Sequence, residues 1–156
     1  MLNLRLNYLV IPLLAVIAAS AASYFAETGR ILNNTIDLPI WTPPNSFTGI
    51  LVTIIFLISA VSVLIIWNKY SSQKNFKLII GLFILSAVVN IGWNILFFDQ
   101  HQLALAFFQS VFLISNIVLL IVLIWRFCPL AASFLLPYSL WVLFSIILTL
   151  NVWAIN

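Results

Sequence analysis

Five apolar runs without a single internal charge, each about as long as a membrane span, dominate this chain of 156 residues. A bilayer core about 30 Å thick requires roughly 20 apolar residues in helical form. Inside that core every backbone N–H and C=O must be paired within its own segment, so the runs are predicted to be helices. The predicted fold is an all-α integral membrane protein, a bundle of five transmembrane helices in a single domain over residues 1–156. The spans are predicted at residues 6–25, 47–67, 78–98, 103–125 and 133–155.

The composition excludes a soluble protein. Only 6% of the residues are charged and 65% are hydrophobic, with a mean hydropathy of +1.24, whereas soluble domains contain about 25% charged residues. We therefore expect membrane lipid as a partner and no nucleic acid. The sequence has no Ser-His-Asp set, no HExxH motif and no Gly-rich phosphate loop, and its spans carry no ionisable residue, which argues against hydrolytic enzymes and ion-coupled pumps.

The residues most often used for metal or redox chemistry occur once each. Cys128 has no partner for an internal disulfide and is predicted to be a small apolar filler. His101, in the turn DQHQ, is predicted to be a solvated loop histidine, with haem ligation as the alternative. We expect no metal site and no required cofactor.

The first span has some features of a signal peptide, since Arg5 precedes it and small residues follow at 18–23. Its apolar run is longer than the usual stretch of about 7–15 residues, and Pro12 interrupts it. These two properties favour an uncleaved membrane span.

Positive charges fall on one side of the predicted membrane. Five crossings place the two termini on opposite sides, and the N-terminal side carries Arg5, Lys69, Lys74, Lys77 and Arg126. The other side carries Arg30 as its only Lys or Arg. Because cytoplasmic loops hold the excess of Lys and Arg, we predict a cytoplasmic N-terminus and an outer C-terminus, in a bacterial cytoplasmic membrane. The long first loop, residues 26–46, then faces outward.

Amide and aromatic side chains recur at helical spacing within the last three spans. An amide facing lipid would lose several kcal/mol of hydrogen bonding, so these faces are predicted to point into the bundle. One interpretation is that the amides hold helices together. The other is a ligand cavity with aromatic walls and a few orienting amides. The faces comprise Asn90, Trp93, Asn94 and Phe97; Gln109, Phe112 and Asn116; and Pro137, Trp141, Phe144, Ser145 and Leu148.

The stretch LPIWTPPNSF, residues 38–47, marks the point where the long loop meets the second span. Two adjacent prolines do not occur inside a helix, although a proline at a helix N-terminus loses no hydrogen bond. The prolines therefore predict a helix start, and Trp41 before them suggests that the turn also holds the loop in place.

Three sequence blocks together resemble the TspO/MBR proteins, also called translocator proteins or tryptophan-rich sensory proteins. The first is Trp41-Thr42-Pro43-Pro44-Asn45, followed by Gly49 and Thr53. The second is Asn90-x-x-Trp93 with Phe97-Phe98. The third begins with Pro129-Leu130-Ala131-Ala132, continues through Leu135-Leu136-Pro137-Tyr138 and Trp141-Val142-x-Phe144, and ends with Trp153-x-x-Asn156.

This resemblance implies a five-helix bundle whose long first loop acts as a lid over a pocket. It implies a membrane receptor that binds tetrapyrroles such as protoporphyrin IX, or sterol-type hydrophobic ligands, and acts as a sensor or regulator. It also implies a homodimer. The alternatives are a transporter of small hydrophobic molecules and a light-dependent porphyrin-degrading enzyme. By position, the ligand-binding residues are Pro44, Phe56, Asn90, Trp93, Trp141 and Phe144, and the lid residues are Trp41, Pro43 and Asn45.

Several positions depart from the family pattern. Val52 stands where many members carry a tryptophan implicated in porphyrin breakdown, and Phe56 stands where an aromatic hydroxyl is common. Ser86, Gln109 and Thr149 replace a Gln, an acidic residue and an Asn, respectively. These departures imply a less polar pocket and count against the enzymatic alternative.

Overall fold

The computed structural model describes residues 6–32 and 37–156, except for the side chains of residues 29–32, 45 and 46. The described residues are helical apart from short connections and contain no strand, which confirms the all-α prediction. A π-helical segment, Ile95–Asp99, continues the third helix. The α-helices are α1 (Asn7–Leu32), α2 (Asn45–Lys69), α3 (Phe76–Asn94), α4 (Leu103–Trp125), α5 (Pro129–Ser133) and α6 (Leu136–Ile155).

Five segments of the described chain are long and apolar enough to cross a membrane, as predicted from the sequence. The α5 and α6 helices together form the fifth of these segments. The length and composition of the five segments indicate a multi-pass integral membrane protein. They cover Asn7–Thr28, Phe47–Lys69, Phe76–Asp99, Leu103–Trp125 and Pro129–Ile155.

The five spans form a closed ring. Helix α1 packs against α2 on one side and against α3 with its π-helical segment on the other. Helix α4 packs against both α3 and α6, and α5 and α6 complete the ring by contacting α2. On α1, Ala19 lies in the core cluster that includes residues of α2, and Ala15 and Ala18 pack against this cluster. Small residues of this kind allow close approach between helices, which drives helix association in lipid.

Two helix boundaries differ from those that the hydrophobic pattern predicts. Helix α1 continues to Leu32 instead of ending near Phe25, because the polar residues that end the apolar run do not break a helix. The fifth span is interrupted at Phe134 and Leu135, since Pro137 lies in the first turn of α6 and lacks the N–H that would continue the α5 ladder. At the far end of α3, His101 closes the turn to α4 with a positive φ of 53°.

The inward faces of α3 and α6 follow the prediction, and the face of α4 follows it in part. Asn90, Trp93 and Asn94 are buried, as is Asn116 on α4. The prediction for Phe112 was wrong, because its ring is 51% exposed. Helix α4 is apolar on all sides, so the stripe from Gln109 to Asn116 marks one edge of its buried face and Phe112 lies beyond that edge.

A buried polar bridge joins α3, α4 and α6. The Asn116 side-chain N–H donates to Ser86 Oγ at 2.7 Å and to the Leu82 carbonyl at 3.0 Å. From α6, the Tyr138 hydroxyl donates to the Ser86 carbonyl at 3.3 Å. Asn116 therefore holds helices together, which is the first of the two interpretations drawn from the sequence. Ser86 is the meeting point of the three helices.

Replacement of Asn116 by Ala should destabilise the bundle. The variant loses both interhelical hydrogen bonds, and such bonds contribute on the order of 1 kcal/mol within membrane proteins. We expect a lower Tm in detergent, measured by circular dichroism. Ser115→Ala is the matched control, since Ser115 Oγ is exposed and donates only to the Val111 carbonyl of its own helix. Equal Tm values for the two variants would contradict the bridging role.

Candidate functional site

A cavity of about 720 Å³ lies between α1, α2, α3 and α6. The end of the first loop, through Thr42 and Pro43, also lines it. This volume falls within the range of roughly 300–1,000 Å³ that is typical of small-molecule sites. The described end of the loop, residues 37–44, is called the lid segment below.

Aromatic rings form two walls of the cavity. On α3, the Trp93 ring stacks on Phe97 with centroids 4.9 Å apart and an interplanar angle of 23°. On α6, Trp141 stacks on Phe144 at 5.3 Å and 26°. Trp93, Trp141 and Phe144 all line the cavity. Each stacked pair fixes its rings in one orientation, so the walls are preformed for a flat apolar guest.

The cavity lining on α3 also carries two amides and an unpaired indole N–H. The Asn90 side chain lies near the Tyr138 hydroxyl, and the Asn94 side-chain N–H donates to the Asn90 carbonyl at 2.9 Å. Trp93 Nε1 is buried and has no hydrogen-bond partner within the described part of the chain. A buried donor without a partner carries a free-energy cost of about 1–3 kcal/mol, which a ligand acceptor within reach would remove.

Helix α1 contributes a polar stripe that the sequence interpretation missed. Ser20, Ser23 and Glu27 line the cavity and are spaced three and four residues apart, on one helical face. Glu27 was assigned to the first loop, because the apolar run ends before it. The spacing of three polar residues was the available signal, and it required α1 to extend through Glu27.

Two sets of contacts fix the lid segment above the cavity. The Trp41 ring meets Phe144 edge-on, with centroids 5.7 Å apart. The Asp37 N–H donates to Asn156 Oδ1 at 2.9 Å, and Asn156 Nδ2 donates to the Asp37 carbonyl at 3.0 Å. The lid segment is therefore attached to α6 and to the residue that follows it. A turn closed by the Thr42 N–H and the Pro39 carbonyl lies between these contacts.

The structure brings together four of the six residues predicted to bind ligand: Asn90, Trp93, Trp141 and Phe144 line one cavity. The remaining two lie outside the lining. Pro44 is exposed before the start of α2. Phe56 is 7% exposed in the core, where its ring packs against Tyr138 at 5.6 Å. Among the lid residues, Pro43 lines the cavity, Trp41 contacts its wall, and the Asn45 side chain lies outside the described part of the chain.

The residues that depart from the family pattern have separate structural roles. Val52 is buried and lines the cavity, so an aliphatic group stands at that point of the wall. Thr149 donates to the Ser145 carbonyl of its own helix at 2.7 Å. Gln109 Nε2 donates across to the Val89 carbonyl of α3 at 3.1 Å. A Cβ added at Gly92 would lie 2.6 Å from this nitrogen, so glycine permits the contact.

Comparison with known proteins assigns the family. The sequence profile of the TspO/MBR family matches residues 9–154. The chain belongs to this family. The tryptophan-rich protein TspO of Bacillus cereus is 30% identical over 127 residues, covering 81% of this chain and 82% of the relative.

Two further relatives support the same family. The tryptophan-rich protein TspO of Archaeoglobus fulgidus is 28% identical over 151 residues, covering 95% of this chain and 96% of the relative. Protein CrtK of Rhodobacter capsulatus is 24% identical over 141 residues, covering 87% and 88%, respectively. The TspO/MBR match thus extends over the residues that build the cavity as well as over the helical scaffold.

Loss of the Asn156 side chain should loosen the lid segment. Asn156→Ala removes two hydrogen bonds to Asp37, and we expect amide exchange of residues 37–44 to accelerate roughly fivefold. Hydrogen–deuterium exchange read by mass spectrometry measures this rate. Asn151→Ala is the control, because its exposed amide donates only to the Ile147 carbonyl of its own helix. Unchanged exchange in Asn156→Ala would show that the Trp41 contact is sufficient to hold the segment.

Proposed function

We propose that this protein is a membrane receptor for a tetrapyrrole such as protoporphyrin IX, or for a sterol-type hydrophobic molecule, and that it acts as a sensor or regulator. The observation that carries the proposal is the pair of stacked aromatic walls facing one cavity, Trp93 with Phe97 and Trp141 with Phe144. Flat conjugated faces pack well against such walls. The names of the relatives, tryptophan-rich proteins, fit this emphasis on indole rings.

Asn90 supplies the orienting contact in this proposal. Its side chain is 6% exposed and lines the cavity, beside the Tyr138 hydroxyl. An apolar cage binds guests without fixing their orientation, whereas one amide can select a guest that carries a matching polar group. In this proposal porphyrin is a ligand, and the protein requires no cofactor.

Titration with protoporphyrin IX tests the binding role. We expect saturable quenching of tryptophan fluorescence, and a dissociation constant raised about three- to tenfold in Trp141→Leu, because one aromatic contact is lost. Asn90→Leu should weaken binding as well. Trp125→Leu is the matched control, since Trp125 is 52% exposed at the end of α4 and does not line the cavity. The assignment of the cavity fails if quenching is not saturable, or if all three variants bind like the unaltered protein.

The alternatives predict different readouts from the same purified protein. A transporter would move a hydrophobic guest across reconstituted vesicles, which a receptor does not do. A light-dependent enzyme would degrade the porphyrin on illumination, so the Soret absorbance of the porphyrin would decrease. Val52 puts an aliphatic side chain in the cavity wall, so such an activity would depend on Trp93 and Trp141. We therefore favour the receptor.

We further propose that the lid segment faces outward and that the connection between α2 and α3 faces the cytoplasm of a bacterial cell. The basis is the distribution of Lys and Arg, because the loops of a membrane protein that carry the excess of these residues lie on the cytoplasmic side. Lys69, Lys74 and Lys77 are exposed at that connection.

Labelling of introduced cysteines tests this orientation. In a Cys128→Ser background, Ile40→Cys should react with a membrane-impermeant maleimide on intact spheroplasts, because residue 40 is fully exposed. Lys74→Cys should react only after permeabilisation. The reverse pattern would place the N-terminus outside.

A further inference from the structure

The described lining of the cavity contains one charged side chain, and it is acidic. Among the described residues that line the cavity, Glu27 is the only one of the types Asp, Glu, Lys, Arg and His. Glu27 lies on α1, one and two turns beyond Ser23 and Ser20, and is solvent-exposed. No described cation of the lining neutralises it. The electrostatic potential at this side of the cavity therefore favours a positively charged guest.

Three hydroxyl groups of the lining add to this preference, because each donates its own proton to a backbone carbonyl. Thr48 Oγ1 donates to the Pro44 carbonyl at 3.1 Å, and Thr53 Oγ1 donates to the Gly49 carbonyl at 2.8 Å. Ser145 Oγ likewise donates to the Trp141 carbonyl at 3.0 Å. A hydroxyl has one donor and two acceptor lone pairs, so each of these groups retains only acceptor capacity.

The Asn94 amide is only partly used. One of its two N–H groups donates to the Asn90 carbonyl, which leaves the second N–H as a donor and the oxygen as an acceptor. The Glu27 carboxylate and the three hydroxyls supply acceptors on α1, α2 and α6, whereas Trp93 Nε1 on α3 supplies an unpaired donor. A protonated amine brings several N–H donors and a positive charge, so it matches the Glu27 side of the cavity better than a carboxylate does.

The aromatic walls are compatible with a cation as well. Indole and phenyl faces attract an ammonium group within about 6 Å of the ring centroid, and the attraction increases when water is excluded. Trp141 and Phe144 form such a wall on α6, and Trp93 forms the other on α3. An aromatic cage with a carboxylate at its edge is suited to an organic cation.

We propose that the preferred guest of this cavity is a lipophilic cation, a polycyclic or aromatic amine whose protonated nitrogen pairs with Glu27 while its rings lie between Trp93 and Trp141. This inference rests on the proposed function in one respect, that the cavity binds a ligand. It adds that the preferred ligand carries a positive charge. For porphyrins it follows that the two propionates oppose binding, so the neutral dimethyl ester should bind more tightly than the free diacid.

Three probes of one shape test the proposal: 1-(aminomethyl)pyrene as the cation, 1-pyrenemethanol as the neutral form and 1-pyrenecarboxylate as the anion. Each is titrated into the purified full chain in non-ionic detergent at neutral pH and low salt, with energy transfer from tryptophan to pyrene as the signal. The affinities of the charged probes are divided by that of the neutral probe in the same variant, which removes differences in partitioning and packing. We expect the affinity to be highest for the cation, lower for the neutral probe and lowest for the anion.

The Glu27→Gln variant should lower the ratio of cation to anion affinity by about tenfold, which corresponds to modest, solvent-screened charge terms of opposite sign for the two probes. Glu27→Lys should reverse the order. Arg30→Gln is the matched control, because it also removes one charge from the same helix, a charge of opposite sign. It should preserve the preference for the cation. High salt should reduce the preference of the unaltered protein.

The proposal is overturned if Glu27→Gln and Glu27→Lys keep the order of the unaltered protein, or if the unaltered protein binds the anion as tightly as the cation. Failure of the proposed function gives a different result. In that case even neutral 1-pyrenemethanol shows no saturable binding, and Trp141→Leu does not change its signal.

Discussion

The bundle depends on one constraint, that polar groups inside a bilayer must find their hydrogen-bond partners within the protein. The constraint explains why each span is a helix and why the amides of α3 and α4 are turned inward. It is met most fully at Ser86, whose hydroxyl accepts from Asn116 and whose carbonyl accepts from Tyr138. Helices α3, α4 and α6 are thereby held in one register, and two of them carry the aromatic walls of the cavity.

The same constraint determined how far the sequence could be interpreted. The five helices were predictable because their runs lack charge, and the cavity face of α3 was predictable because Asn90 and Trp93 mark it at helical spacing. Phe112 was misplaced because α4 is apolar on all sides. Only the amides of Gln109 and Asn116 were available to indicate its buried face, and they lie at the edge of that face. Glu27 was missed because the end of the apolar run was taken as the end of α1, whereas the helix continues through polar residues to Leu32.

Other features lay beyond any local pattern. The pairing of Asp37 with Asn156 joins residues 119 positions apart. The position of Phe56 against Tyr138, outside the cavity lining, depends on how α2 is rotated against α6. The hydrogen-bond partners of the cavity hydroxyls could not be predicted either, since a sequence shows a threonine without showing which carbonyl its proton faces. These properties arise from packing between helices.

The attachment of the lid segment to the end of α6 has a consequence for biosynthesis. The first loop is made before its partners Phe144 and Asn156, which belong to α6 and to the residue that follows it. Until α6 enters the membrane, the cavity lacks one aromatic wall and the fixed position of its cover. The aromatic wall on α6 and the contacts that hold the lid segment are therefore added together, after the first four spans have been made.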